Sequence, residues 1–141
     1  MVAGMRSHLS AGGVNLARET ENGSLILSSS QDHLVNGRFE PREMLKLLES
    51  AVHQAISDGF AGLWAAGDMT WEFGNERNLD RLLEYEHELE RFMQRTPALS
   101  GVCLYHKDTL PQHAIQTALH SHPAIYLSAT LSQLNPQFVK V

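Results

Sequence analysis

The chain has 141 residues, 43% of them apolar and 19% charged, with a net charge of −5. This length suits one domain that buries roughly two thirds of its unfolded surface, and the composition excludes a disordered chain. Three lysines and scattered arginines exclude the clustered positive charge that nucleic-acid binding requires, and the apolar run at 60–67 is far short of the about 20 residues of a membrane helix.

Residues 1–11 carry Val2, Met5 and Leu9 on one side and run into Gly12-Gly13, which predicts the tail of a helix ended by a left-handed turn. Residues 24–29, Ser-Leu-Ile-Leu-Ser-Ser, are a short apolar run between Asn22-Gly23 and a serine cluster, and read as a buried strand. Pro41 suits a first helical position, and Met44, Leu45, Leu48, Val52, Ala55 and Ile56 then repeat at helical spacing until Gly59. Residues 61–67 read as a strand whose poor alternation suits coverage on both faces.

The segment 78–94 reads as a helix with Leu79, Leu82, Leu83, Leu89 and Met93 on one stripe and Pro97 just past its end. Counting about 100° per residue from Leu79 puts Glu86 at about 340°, at the centre of that stripe, while Glu84 and Glu88 fall opposite. A buried carboxylate is explained by a structural partner, an arginine or backbone N–H groups, or by a ligand or transferred proton, and the spacing leaves both open. Residues 101–106 read as the next strand, with Val102 and Leu104 on one face and Cys103 and Tyr105 on the other. Thr109-Leu110-Pro111-Gln112 has the form of a capping box, and the helix that follows carries Ile115, Ala118 and Leu119 inward. His122 continues that face, Pro123 pushes it out of helical geometry, and 124–128 resume as a strand. The alternation predicts an α/β fold: one domain over 1–141, three layers, a mostly parallel sheet flanked by helices.

Ligand chemistry in an open parallel sheet gathers at the carboxyl ends of strands, where Asp68, Cys103 and Tyr105 lie and Trp71 offers an apolar wall. Each has a plainer reading: Asp68 as a turn cap, Trp71 as core, Cys103 as a small core residue, His106 and His122 as structural hydrogen-bonding groups. As the only cysteine, Cys103 forms no intrachain disulfide, and a reducing cytoplasm is expected. Eight histidines raise a metal site drawn from His106, His120, His122, Cys103 and Asp68. No His-x-x-x-His or Cys-x-x-Cys pair supplies neighbouring ligands, so neither a metal nor another cofactor is expected. None of Lys46, Lys107 and Lys140 lies in Gly-x-x-x-x-Gly-Lys-Ser/Thr, which removes the triphosphate cradle and with it ATP hydrolysis. Neither a Gly-x-Ser-x-Gly elbow nor a Gly-x-Gly-x-x-Gly fingerprint occurs.

Five short motifs stand in order along the chain: Gly67-Asp68-Met69-Thr70-Trp71, Leu82-Leu83-Glu84-Tyr85-Glu86, Cys103-Leu104-Tyr105, His122-Pro123 and Asn135-Pro136-Gln137-Phe138. With Gly37-Arg38-Phe39-Glu40-Pro41 before a helix, they resemble the MEDS domain, the methanogen/methylotroph DcmR sensory domain, over most of the chain from Leu9 onward. Two departures stand out: Asp68 replaces the usual Glu, and the family's opening strand-helix unit, with its own His and Cys, is absent. The resemblance implies a shortened relative of RecA-like and KaiC-like domains and a non-catalytic sensory module. It also implies that a small organic ligand is bound by Asp68, Trp71, Glu86, Cys103, Tyr105 and His122. Domains of this family are commonly fused to DNA-binding or histidine-kinase modules, so a separate signalling partner, a histidine kinase or a transcription regulator, is expected. A homodimer is expected to cover the sheet edge that the missing unit would leave. The competing readings are a small enzyme with Asp68 or Glu86 as acid/base and Cys103 or His122 assisting, and a structural remnant without a ligand.

Overall fold

A computed structural model describes residues 2–69, 79–108, 110–128 and 131–138. The chain divides into two compact units, residues 1–37 and residues 38–141.

The first unit is helical. Helix α1 (Val2–Ala11) ends where the glycine pair was expected to stop it: the Gly12 N–H donates to the His8 carbonyl at 2.9 Å, and Gly13 takes φ of 87°. Helix α2 (Leu16–Glu21) follows, its Asn15 side chain accepting from the Arg18 N–H at 3.2 Å. The expected strand at 24–29 does not form. Its backbone is engaged by α2 instead, the Leu25 N–H donating to the Glu19 carbonyl at 2.9 Å and the Ser24 hydroxyl to the same carbonyl at 3.2 Å. The serine cluster caps a turn of 3-10 helix (Ser30–His33), in which the Ser29 N–H and hydroxyl both donate to Asp32 at 2.8 Å. Without a partner strand the apolar run stays open, and Ile26 is exposed.

The second unit has the expected α/β character. Helix α3 (Pro41–Ser57) begins on Pro41, buries Leu48 and Val52, and ends where Gly59 adopts φ of 90°. Strand β1 (Leu63–Asp68), helix α4 (Leu79–Arg95) and strand β2 (Leu99–Leu104) form a strand-helix-strand unit in which β1 and β2 pair in parallel, Gly67 beside Cys103 and Asp68 beside Leu104. Met69 extends the pairing, its N–H donating to the Leu104 carbonyl at 3.0 Å. Trp64 and Ala66 on β1 are exposed, although the all-apolar run reads as a strand covered on both faces.

Helix α4 supplies the core. Leu82, Tyr85 and Leu89 are buried at the spacing of one helical face and pack with Leu48 and Met69, with Phe39, Ala65, Cys103 and Tyr105 around them. The chain leading into α3 is tied to α4 at two points: Arg81 donates to the Phe39 carbonyl at 2.8 Å and pairs with Glu40 at 2.6 Å, and the Phe39 ring meets Tyr85 edge-on with centroids 5.2 Å apart. Helix α5 (Gln112–Ser121) packs on α4 through buried Ala114 and Ala118. It starts after Pro111, and Thr109 of the expected capping box lies outside the described residues. His122 leaves the helix in extended geometry, φ −117° and ψ 129°, as Pro123 requires. Strand β3 (Ala124–Ser128) pairs antiparallel with β4 (Leu131–Leu134), a separate two-stranded sheet and a strand that the sequence does not announce. No helix among the described residues is long and apolar enough to cross a membrane.

Candidate functional site

Glu86 sits on the core face of α4, one residue past Tyr85, and is only 2% exposed. A carboxylate placed so deep loses its water and must find substitutes. Three side chains from two further elements supply them. Tyr105, just past the end of β2, donates its hydroxyl to Glu86 Oε1. His122 Nε2, at the end of α5, stands 3.2 Å from Glu86 Oε2, and the Cys103 thiol, on β2, stands 3.9 Å from the same oxygen. The Tyr105 and His122 rings meet edge-on with centroids 6.1 Å apart. The arginine or backbone N–H partner that a structural reading of Glu86 offers is thus replaced by a phenol, an imidazole and a thiol. Burial pushes the Glu86 carboxyl above its usual range, and His122 first, then Tyr105, Cys103 and His87, pull it part of the way back.

The tautomer of His122 follows from its other nitrogen. Nδ1 lies 2.8 Å from the Ala118 carbonyl oxygen, which can only accept, so Nδ1 carries a proton. In the neutral ring Nε2 is therefore bare, and its lone pair faces Glu86 Oε2. Two acceptor atoms 3.2 Å apart need something positive between them, a proton or a metal cation.

Asn135, whose motif carries no assigned role in the sequence, holds the histidine's backbone. It is buried and donates its side-chain amide to the carbonyls of Leu119 and, at 2.7 Å, His122; its own Oδ1 accepts from the Gln137 N–H at 3.0 Å. The signal was the asparagine of the Asn-Pro pair, a residue type that fixes local backbone by side-chain bonds. His120 turns away from Glu86, its Nδ1 lying 3.0 Å from the Gln137 carbonyl oxygen.

Four of the six ligand-binding candidates, Glu86, Cys103, Tyr105 and His122, are thus in one cluster. Asp68 is half-buried and in register with Leu104, so strand alternation directs it to the face opposite Cys103 and Tyr105. Trp71 lies outside the described residues. Two surface hollows, of about 420 and 500 Å³, are bordered by Glu40 and by charged residues of α3 and α4, among them Arg42, Arg81 and Glu84, and neither reaches Glu86. Glu86, Cys103 and His122 each offer one ligand atom, all within 4.8 Å of one another, a space fitted to an ion rather than to an organic molecule.

A family model described as the methanogen/methylotroph, DcmR sensory domain, MEDS, matches residues 1–123. Neither a curated protein nor a solved structure matches the chain.

Proposed function

Because this chain belongs to the MEDS family of sensory domains, we propose that it is a cytoplasmic small-molecule sensor that acts through a partner protein and does not hydrolyse nucleotides. The observation that carries the reading is the convergence of α4, β2 and α5 on one buried carboxylate. A ligand that takes over one of the bonds to Glu86 changes what joins these three elements. Such a local exchange of partners is how a switch is coupled to the packing around it. An enzyme reading with Asp68 as its acid/base gains less support, because strand alternation directs Asp68 to the face of β1 and β2 opposite Cys103, away from the groups that were to assist it. The exposed strand face bearing Trp64 and Leu104 supports docking of a second copy of this chain, and we place the homodimer contact there.

Thermal unfolding in the presence of small alcohols, amines, carboxylates and thiols tests the sensor. A ligand at 100 times its Kd stabilises by about 2.7 kcal/mol. A Tm rise is expected in the natural chain and not in Glu86→Gln. An equal rise in both discards this site.

A further inference from the structure

We propose that Glu86, Cys103 and His122 form a binding site for a divalent transition-metal ion of the zinc class, with one coordination position left for an exogenous ligand. The inference rests on the sensory reading only for what the ion does, not for whether it binds.

Geometry comes first. A tetrahedral zinc ion at its usual bond lengths sets oxygen and nitrogen ligands about 3.3 Å apart and oxygen and sulfur ligands about 3.5 Å apart. Glu86 Oε2 is 3.2 Å from His122 Nε2 and 3.9 Å from Cys103 Sγ. Without metal, a shared proton joins the oxygen and nitrogen and a weak S–H···O bond joins the thiol to the same oxygen; a metal ion would replace both protons at once and draw the sulfur in by a few tenths of an ångström.

The supports around these atoms are those that a metal site uses. The Ala118 carbonyl holds the proton on His122 Nδ1 and leaves Nε2 free to coordinate. The Tyr105 hydroxyl occupies Glu86 Oε1 and fixes the carboxylate so that Oε2 faces inward. Asn135 anchors the His122 backbone through its carbonyl at 2.7 Å. Charge also closes: a carboxylate, a thiolate and a neutral imidazole together cancel a divalent cation, so an assembly in which Glu86 is 2% exposed carries no net charge into the interior. A mixed oxygen, nitrogen and sulfur set suits borderline zinc better than magnesium or calcium, which take oxygen ligands. Three protein ligands leave the fourth position of a tetrahedron to water or to a small donor molecule, and there the ion would give the sensed ligand its point of attachment.

The test is a titration of the full chain, stripped of metal, with cobalt(II) alone and then zinc(II). One equivalent should bind, with the visible bands of tetrahedral cobalt and a near-ultraviolet thiolate-to-cobalt charge-transfer band, and zinc should displace it. Cys103→Ser should abolish the charge-transfer band. Glu86→Gln and His122→Asn should each weaken binding by more than the roughly 10- to 100-fold that loss of a supporting group costs. Tyr105→Phe should weaken it within that range and keep the thiolate band, and the exposed His120→Asn should change nothing. Absence of a thiolate band at saturating cobalt, or binding that survives Cys103→Ser, overturns the site. A ligand-induced Tm rise persisting in metal-free protein that lacks the cobalt band removes the metal and leaves the sensory reading standing; a cobalt band with no organic ligand does the reverse.

Discussion

The two faces of the β1–β2 pair are made from alternate residues of the same strands, and they differ in every respect that matters here. On one, Ala65 and Cys103, with Tyr105 just beyond, pack beneath Met69, Leu82 and Tyr85. On the other, Trp64 is 67% exposed and Leu104 40%. The strand pairing beneath the first face is tight: a methyl added at Gly101 would stand 2.8 Å from the Ala65 carbonyl oxygen, too close for any Cβ. Because side chains alternate, a slip of one residue in register would exchange the two faces, so the site depends on the Gly67–Cys103 pairing as much as on the residues in it.

The closed face should carry the stability. Leu82, 2% exposed at the centre of the core, should lose about 2–5 kcal/mol on truncation to Ala, since the methyls removed leave a cavity between helix and sheet. Urea unfolding of the two proteins measures it, and a loss under 1 kcal/mol would mean that α4 is not packed as described. A smaller effect separates two tyrosines. Tyr105→Phe removes the donor to buried Glu86 Oε1 and should cost about 1–3 kcal/mol, the penalty of an unsatisfied buried acceptor. Tyr126→Phe, at a residue 73% exposed, should stay within about 0.5 kcal/mol. Equal effects would erase the distinction between a bonded and a solvated phenol.

The same contrast explains what the sequence discloses. Helical spacing located Glu86 on the apolar stripe because the stripe is local, repeating every turn of α4. The helix over 41–57 and the parallel strand-helix-strand unit were readable for the same reason, each carrying its own start and stop residues. The open face of β1 was not readable: Leu63, Trp64, Ala65 and Ala66 are all apolar, so hydrophobicity cannot report which alternate residues meet solvent. The strand expected at 24–29 failed because an apolar run says nothing about whether a partner exists, and the Leu25 N–H there donates to α2. The three metal-ligand atoms were hidden for a related reason. They come from α4, β2 and the end of α5, and a search for neighbouring ligands sees only pairs on one element. The candidate pool accordingly contained Cys103 and His122 but omitted Glu86, the residue between them.

The smallest effect on stability belongs to Trp64, and there the readout is association. An indole two thirds exposed contributes little to the fold of a single chain, so Trp64→Ser should leave the unfolding of the monomer, measured at a dilution where the natural chain also dissociates, within about 0.5 kcal/mol of the natural protein. Its neighbours on that face, Ala66, Val102 and Leu104, add apolar area, with Asp68 and its charge at the carboxyl end, an apolar patch with a polar margin that favours a contact between copies over solvent. A twofold contact uses the same patch on both chains, so one substitution removes two indoles from the interface and acts twice. Light scattering at micromolar concentration should then report a dimer for the natural chain and a monomer for Trp64→Ser, with unchanged helicity in both. If the natural chain is already a monomer, the homodimer is discarded and the open face is left to a different protein; if Trp64→Ser remains a dimer, the contact lies elsewhere and the exposed indole has no part in it.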